Sequence, residues 1–145
     1  MRSLKNVIST LTLLIVASSF VSVSAKVVCV PKLYAFGFSA SFNDSTVYFT
    51  DIQEIDSAWI DDKTEFLISR DNYSYQLKNY FTNIGQEHRT CIISFARKRK
   101  DIEKKYRKMK EKYVKAGDYS IKTLDKNEFH FTAIKPDNYE LESYK

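Results

Sequence analysis

The chain has 145 residues, and its 23 Lys and Arg outweigh 18 Asp and Glu for a formal net charge of +5. Ten Tyr and ten Phe stand against three Gly and two Pro, a composition of packed strands and short loops. With Gly37, Gly85 and Gly117 alone, no Gly-rich phosphate loop, dinucleotide fingerprint or nucleophile elbow can be assembled.

Arg2 and Lys5 precede an uncharged run over 6–25 that is most apolar over 11–17 and ends Val23-Ser24-Ala25. This pattern predicts a cleaved signal peptide, 1–25, and hence export to the periplasm, the cell surface or the medium. An uncleaved anchor is the alternative for a run of this length, but the leader's six Ser and two Thr weigh against it. No later run resembles a membrane span. The mature chain is expected to form one domain over 26–135, large enough for one core, and a polar, loose tail over 136–145. Two cations leave with the leader, so the mature charge is +3, but it is polarised. Residues 97–115 hold eleven Lys or Arg against three acids, and residues 44–65 hold seven acids against Lys63. Such an imbalance speaks about partners rather than fold.

Along the mature chain, residues 33–42 alternate, with Tyr34, Phe36, Phe38, Ala40 and Phe42 on one side and small residues on the other. That is a half-buried strand. Asn43-Asp44-Ser45 is a turn, and 46–52 returns as the second strand of an antiparallel hairpin. Residues 53–64 are acidic and mixed; Ile55, Trp59 and Ile60 are expected to fold back on the core as a short helical turn. Asp71 can cap a helix whose stripe is Tyr73, Leu77, Tyr80, Phe81 and Ile84, stopped by Gly85. Residues 90–96 form an apolar strand, and 97–100 a cationic link. Asp101 can cap a helix with Ile102, Tyr106, Met109 and Tyr113 on one face, ending at Gly117. Residues 119–124 and 128–134 are further strands, with His130 facing water between Phe129 and Phe131.

Residues 90–124 have the length of a parallel strand–helix–strand crossover. The fold expected is α+β: a two-layer sandwich, β-β-α-β-α-β-β, with a mixed four- or five-stranded sheet and both helices on one face.

The run Tyr34-Ala35-Phe36-Gly37-Phe38-Ser39-Ala40-Ser41-Phe42-Asn43-Asp44-Ser45 and the later Asp71-Asn72-Tyr73-Ser74-Tyr75-Gln76-Leu77 carry a resemblance. With the leader and the basic helix, the chain resembles short exported proteins of unknown function from Bacteroides-type gut bacteria. The resemblance brings no activity, but it implies O-glycan attachment at Asp-Ser/Thr triplets ending in a small or aliphatic residue. Ser45 in Asp44-Ser45-Thr46 and Ser57 in Asp56-Ser57-Ala58 fit that pattern, both in predicted turns or loops.

The residues offer five kinds of site. At the cationic link, Arg97, Lys98, Arg99 and Lys100 meet a helix N-terminus at the carboxyl end of a strand, an arrangement suited to an anion. Each cation near the first turn works against the helix dipole by about 0.3–1 kcal/mol, which an anion would relieve; the plain alternative is a solvated charge run offset by Asp101 and Glu103. The remaining helical cations, Lys104, Lys108 and Lys112 among them, lie mostly off the apolar stripe, and the partner expected for that face is an acidic protein, anionic glycan or lipid headgroup. Nucleic acid is disfavoured by export, and Tyr106 and Tyr113 sit at core spacing rather than as stacking platforms.

Cys29 and Cys91 permit one disulfide in an oxidising compartment, closing a 63-residue loop for roughly 4 kcal/mol on the chain-entropy model; the alternative is two unrelated small apolar residues. His88 and His130, with the cysteines, lack the close spacing of a zinc motif, and Cys91 lies in apolar company unsuited to a nucleophile. The acids at 51, 54, 56, 61 and 62 lack the spacing and central Gly of a calcium loop. No cofactor or metal is called for.

The function expected is therefore a non-enzymatic exported binding domain whose basic helix recognises an anionic envelope partner, protein or glycan. The alternatives are a small hydrolase using His88 or His130 with the 97–100 cations as a phosphate clamp, or a structural subunit of a surface assembly.

Overall fold

The structure, a computed structural model, describes residues 26–138. The leader expected over 1–25 and the end of the tail, 139–145, lie outside the described residues, while Pro136, at the expected start of the tail, is buried. In chain order the elements are β1 Val27–Ser41, β2 Thr46–Thr50, β3 Gln53–Asp61, α1 Arg70–Asn83, β4 Arg89–Ala96, α2 Arg99–Ala116 and β5 Ser120–Leu124. The α+β class, the mixed five-stranded sheet and the two helices are as the sequence predicts.

β1 organises the sheet. Along one edge it pairs antiparallel with β4, from Tyr34↔Ala96 to Ser41↔Arg89. Along its other edge lie both β2, at Phe38↔Phe49, and β3, at Ala35↔Gln53. Between those two pairs β1 advances three residues and the facing chain four. One residue is therefore bulged near Asp51 and Ile52, and β2 and β3 are two halves of one bent strand. β5 joins β2 in parallel, Thr46↔Ser120 to Thr50↔Leu124. β4 and β5 therefore run parallel, and the predicted crossover through α2 passes over β1 and β2.

Three expectations change here. Residues 53–61 form a strand instead of a helical turn, because Gln53, Ile55, Ala58 and Ile60 supply a buried side to pair against β1. The helices cover opposite faces of the sheet rather than one, so the sandwich has three layers. On one face Leu33, Ala35, Tyr48 and Ile93 pack with Tyr73, Leu77 and Phe81 of α1. On the other, Phe36, Phe38, Val47 and Phe49 pack with Ile102, Tyr106, Met109 and Tyr113 of α2. The half-buried reading of β1 fails for a steric reason. Its small residues Ala35, Gly37 and Ser39 are not a solvent face but the space that lets α1 approach, whereas Phe42, past the strand end, is fully exposed. Strands buried on both faces lose the plain inside–outside alternation.

The helix stripes are otherwise where the spacing puts them. Tyr106 lies edge-on to Phe36 at 5.0 Å and Tyr113 packs on Phe38 at 4.9 Å, so both serve the core. Gly85 and Gly117 adopt φ of 77° and 76° at the two helix ends, the left-handed conformation glycine takes at low cost. Ile84 is the exception on its stripe and is half exposed. The helix starts precede the expected caps, at Ser69 and Lys98, neither with a side-chain cap bond.

Residues 128–134 form no strand, although Phe129 and Phe131 are buried and His130 is exposed as expected. Two glutamines take the place of a neighbouring strand. The Gln53 amide donates to the Phe129 carbonyl at 2.9 Å and accepts from the Phe131 N–H at 2.9 Å. Gln76 makes the same two-way contact with Thr132, at 2.8 Å in each direction. The Tyr73 hydroxyl accepts the Ile134 N–H at 3.0 Å. Gln53→Leu should therefore cost about 2 kcal/mol, since two buried backbone groups lose their partner. Amide exchange at Phe131 should accelerate more than in the central strands, and unchanged exchange there would contradict this account.

Candidate functional site

The cationic link is the turn between β4 and α2. There β4 ends, α2 begins, and the loop over 62–66 comes alongside to close an open cleft of about 680 Å³. Its walls are Arg97, Lys98, Lys104, Lys105 and Lys108, with Glu65 and Asp101 as the acids and Phe66 and Phe95 as apolar floor. The two rings meet edge-to-face at 6.2 Å. Five cations against two carboxylates leave the cleft electropositive, on side chains that are all open to solvent and salt.

Some of these charges are already engaged. Arg97 lies 3.6 Å from Glu65, and Arg99 donates to Glu103 at 2.9 Å across one helical turn. Lys105 donates to the Phe95 carbonyl at 2.8 Å, its ammonium 5.7 Å from the Phe95 ring centre. Lys98, Lys104 and Lys108 make no ion pair with an acid among the described residues.

Of the residues singled out in the sequence, Arg97, Lys98, Lys104 and Lys108 therefore share one site. Arg99 and Lys100 are exposed at the helix start without lining the cleft. Lys112 lies further along α2 in a shallow apolar groove with Ser94, Lys105, Lys108 and Met109, which continues the cleft through its shared lysines. The sequence reading missed Phe66 and Glu65. Nothing local marks them, because they arrive from a loop about 30 positions away that is fixed by the Ile60↔Leu67 bridge. Phe95 lies in the predicted strand 90–96, but nothing in the sequence tells its cleft side from its core side.

The other sequence candidates separate. Cys29 and Cys91 are both free thiols, and the expected disulfide is absent. Cys29 faces Trp59 and Cys91 faces Ser39, ten positions apart along β1 and so on the order of 30 Å at strand rise. Burial pushes the Cys91 thiol above its ordinary range despite a Ser39 hydrogen bond and the Arg89 charge, so it is a poor nucleophile at neutral pH. His88 stands at the end of β4 opposite to Arg97, and neither His88 nor His130 lines the cleft. The acids of 51–62 are spread along β3 and its turn. Glu54 pairs with Lys32 at 2.7 Å, while Asp61 accepts the Lys63 and Thr64 N–H groups at 2.9 Å each. Among the described residues no three His, Cys, Asp or Glu side chains converge on a metal position, and no helix is long and apolar enough to cross a membrane.

Ser45 and Ser57, the serines that the resemblance picks out, are both exposed. Ser45 lies in the β1–β2 turn, where Asp44 accepts the Thr46 N–H at 2.8 Å. Ser57 is not in a loop: it lies within β3 with φ of 58°. Compared with known proteins, the chain matches no family model, no curated protein and no solved structure.

Proposed function

We propose that this is an exported, non-enzymatic binding domain whose basic helix α2 and the cleft at its start hold an anionic partner of the cell envelope, protein or glycan. The observation that carries the reading is the convergence of Arg97, Lys98, Lys104, Lys105 and Lys108 around one open, aromatic-floored cleft. Six of the eleven cations over 97–115 lie outside the cleft, but the other five are gathered with a loop from a distant part of the chain. The apolar stripe of α2 is spent on the core, so the backbone that carries the cations is held rigid and only side-chain freedom is lost on binding.

The triple reversal Lys104→Glu, Lys108→Glu and Lys112→Glu should abolish retention on immobilised polyglutamate and on heparin, and leave the melting temperature nearly unchanged. Wild-type retention should fall steeply with salt, as expected for exposed charges at distances near the Debye length. Retention of the triple variant equal to wild type would sink the reading.

A further inference from the structure

The cleft opens onto a sheet edge. Among the described residues β4 pairs with β1 and with no other strand. Adjacent residues of a strand send their N–H and C=O groups to alternate edges. The Gly37 N–H reaches Thr50 Oγ1 at 2.8 Å on the β2 side, so Phe36 and Phe38 point their backbone groups toward β4. Their partners Ser94 and Ile92 point back, and the backbone groups of Cys91, Ile93 and Phe95 face outward. The Lys105 ammonium agrees, since it meets the Phe95 carbonyl from outside the sheet.

This free edge lies between two grooves. On the α2 side are Lys105, Lys108, Lys112 and Met109. On the α1 side are Arg70, Lys78 and Tyr75, with Asp71 the acid among them. An open edge is a template for another strand, and lysines beside it select which strand. A second copy added edge to edge would set Lys105, Lys108 and Lys112 of both chains against one another. A segment rich in Asp and Glu would be drawn to both flanks.

We infer that β4 takes an acidic, extended segment of a partner protein as an added strand, its backbone on Cys91, Ile93 and Phe95 and its carboxylates beside the α2 lysines. The inference rests on the proposed function and specifies its partner and mode. Lys105 yields the Phe95 carbonyl to the incoming N–H and turns to a carboxylate.

The test uses three fluorescent peptides of eight residues that alternate Glu and Thr: one unmodified, one N-methylated at every Glu, one at every Thr. All carry the same charge. Strand addition predicts that one methylated peptide binds at least tenfold more weakly while the other stays within about twofold, because only alternate N–H groups face β4. It also predicts slower amide exchange at Cys91, Ile93 and Phe95 in the bound protein. Equal binding by all three, or no binding by any, with polyanion retention intact would overturn strand addition and leave the electrostatic reading standing. Tighter binding of heparin oligosaccharides without protection of those amides would overturn it in favour of a glycan. Loss of wild-type retention on every polyanion would instead defeat the function on which it rests.

Discussion

Replacing Arg89 by Met should destabilise the domain by about 3 kcal/mol, which for a domain of this size lowers the melting temperature by roughly 10 °C. Arg89 is nearly inaccessible and ties three elements together. Its Nε donates to Ser39 Oγ at 3.1 Å, one terminal nitrogen to Asp44 at 3.0 Å, and the other to the Thr46 carbonyl. Its planar face lies 4.7 Å from the Tyr48 ring centre and 5.4 Å from that of Phe81. The guanidinium thus joins the start of β4 to the tip of the β1–β2 hairpin and to α1. Met keeps much of the volume, so the loss measures the polar and cation–π contacts rather than a cavity. Arg89→Lys should recover part of the loss, since an ammonium keeps the charge but neither the fork nor the stacking plane. A melting temperature within about 2 °C of wild type for the Met variant would contradict this account.

Gly37→Val should cost about 3 kcal/mol or more in urea denaturation, and Gly37→Ala about half of that. A Cβ at this position would lie 2.7 Å from Leu77 Cδ2, 3.1 Å from Thr50 Cγ2 and 3.2 Å from Phe131 Cζ. Leu77 is itself fully buried between α1 and the sheet, so its methyl has nowhere to retreat. The requirement is for space and not for an unusual backbone angle. Leu77→Ala should therefore rescue part of the Gly37→Ala loss in a double-mutant cycle, and strict additivity of the two would show that they do not share this contact.

How far the sequence could be read varies by element. The stripe Ile102, Tyr106, Met109, Tyr113 repeats at helical spacing within a few turns, and the structure places all four against one core. The hairpin about Asn43-Asp44-Ser45 and the crossover from β4 to β5 were equally legible, since turn chemistry and connection length are local. β3 was not. Its buried Gln53 and its exposed Glu54 and Asp56 look like a loop until Leu33 and Ala35 supply the partners that bury alternate positions. Residues 128–134 misled in the other direction. Their alternation is real, but the backbone is satisfied by Gln53 and Gln76, and no propensity scale records a glutamine acting as a strand.

At the candidate site the division follows the same line. Sequence alone determined the two helices, the strand before the basic run and the gathering of positive charge over 97–115, because each depends on residues within one or two turns of one another. Only the tertiary structure decided that the helices lie on opposite faces, that the two cysteines are far apart, that Phe66 and Glu65 complete the cleft and that, among the described residues, no strand pairs with the outer edge of β4. Those outcomes depend on volume and pairing between residues distant in the chain. Ala35, Gly37 and Ser39 show why: their smallness reads as the open side of a half-buried strand in one dimension, and only the approach of Leu77 makes it a packing surface.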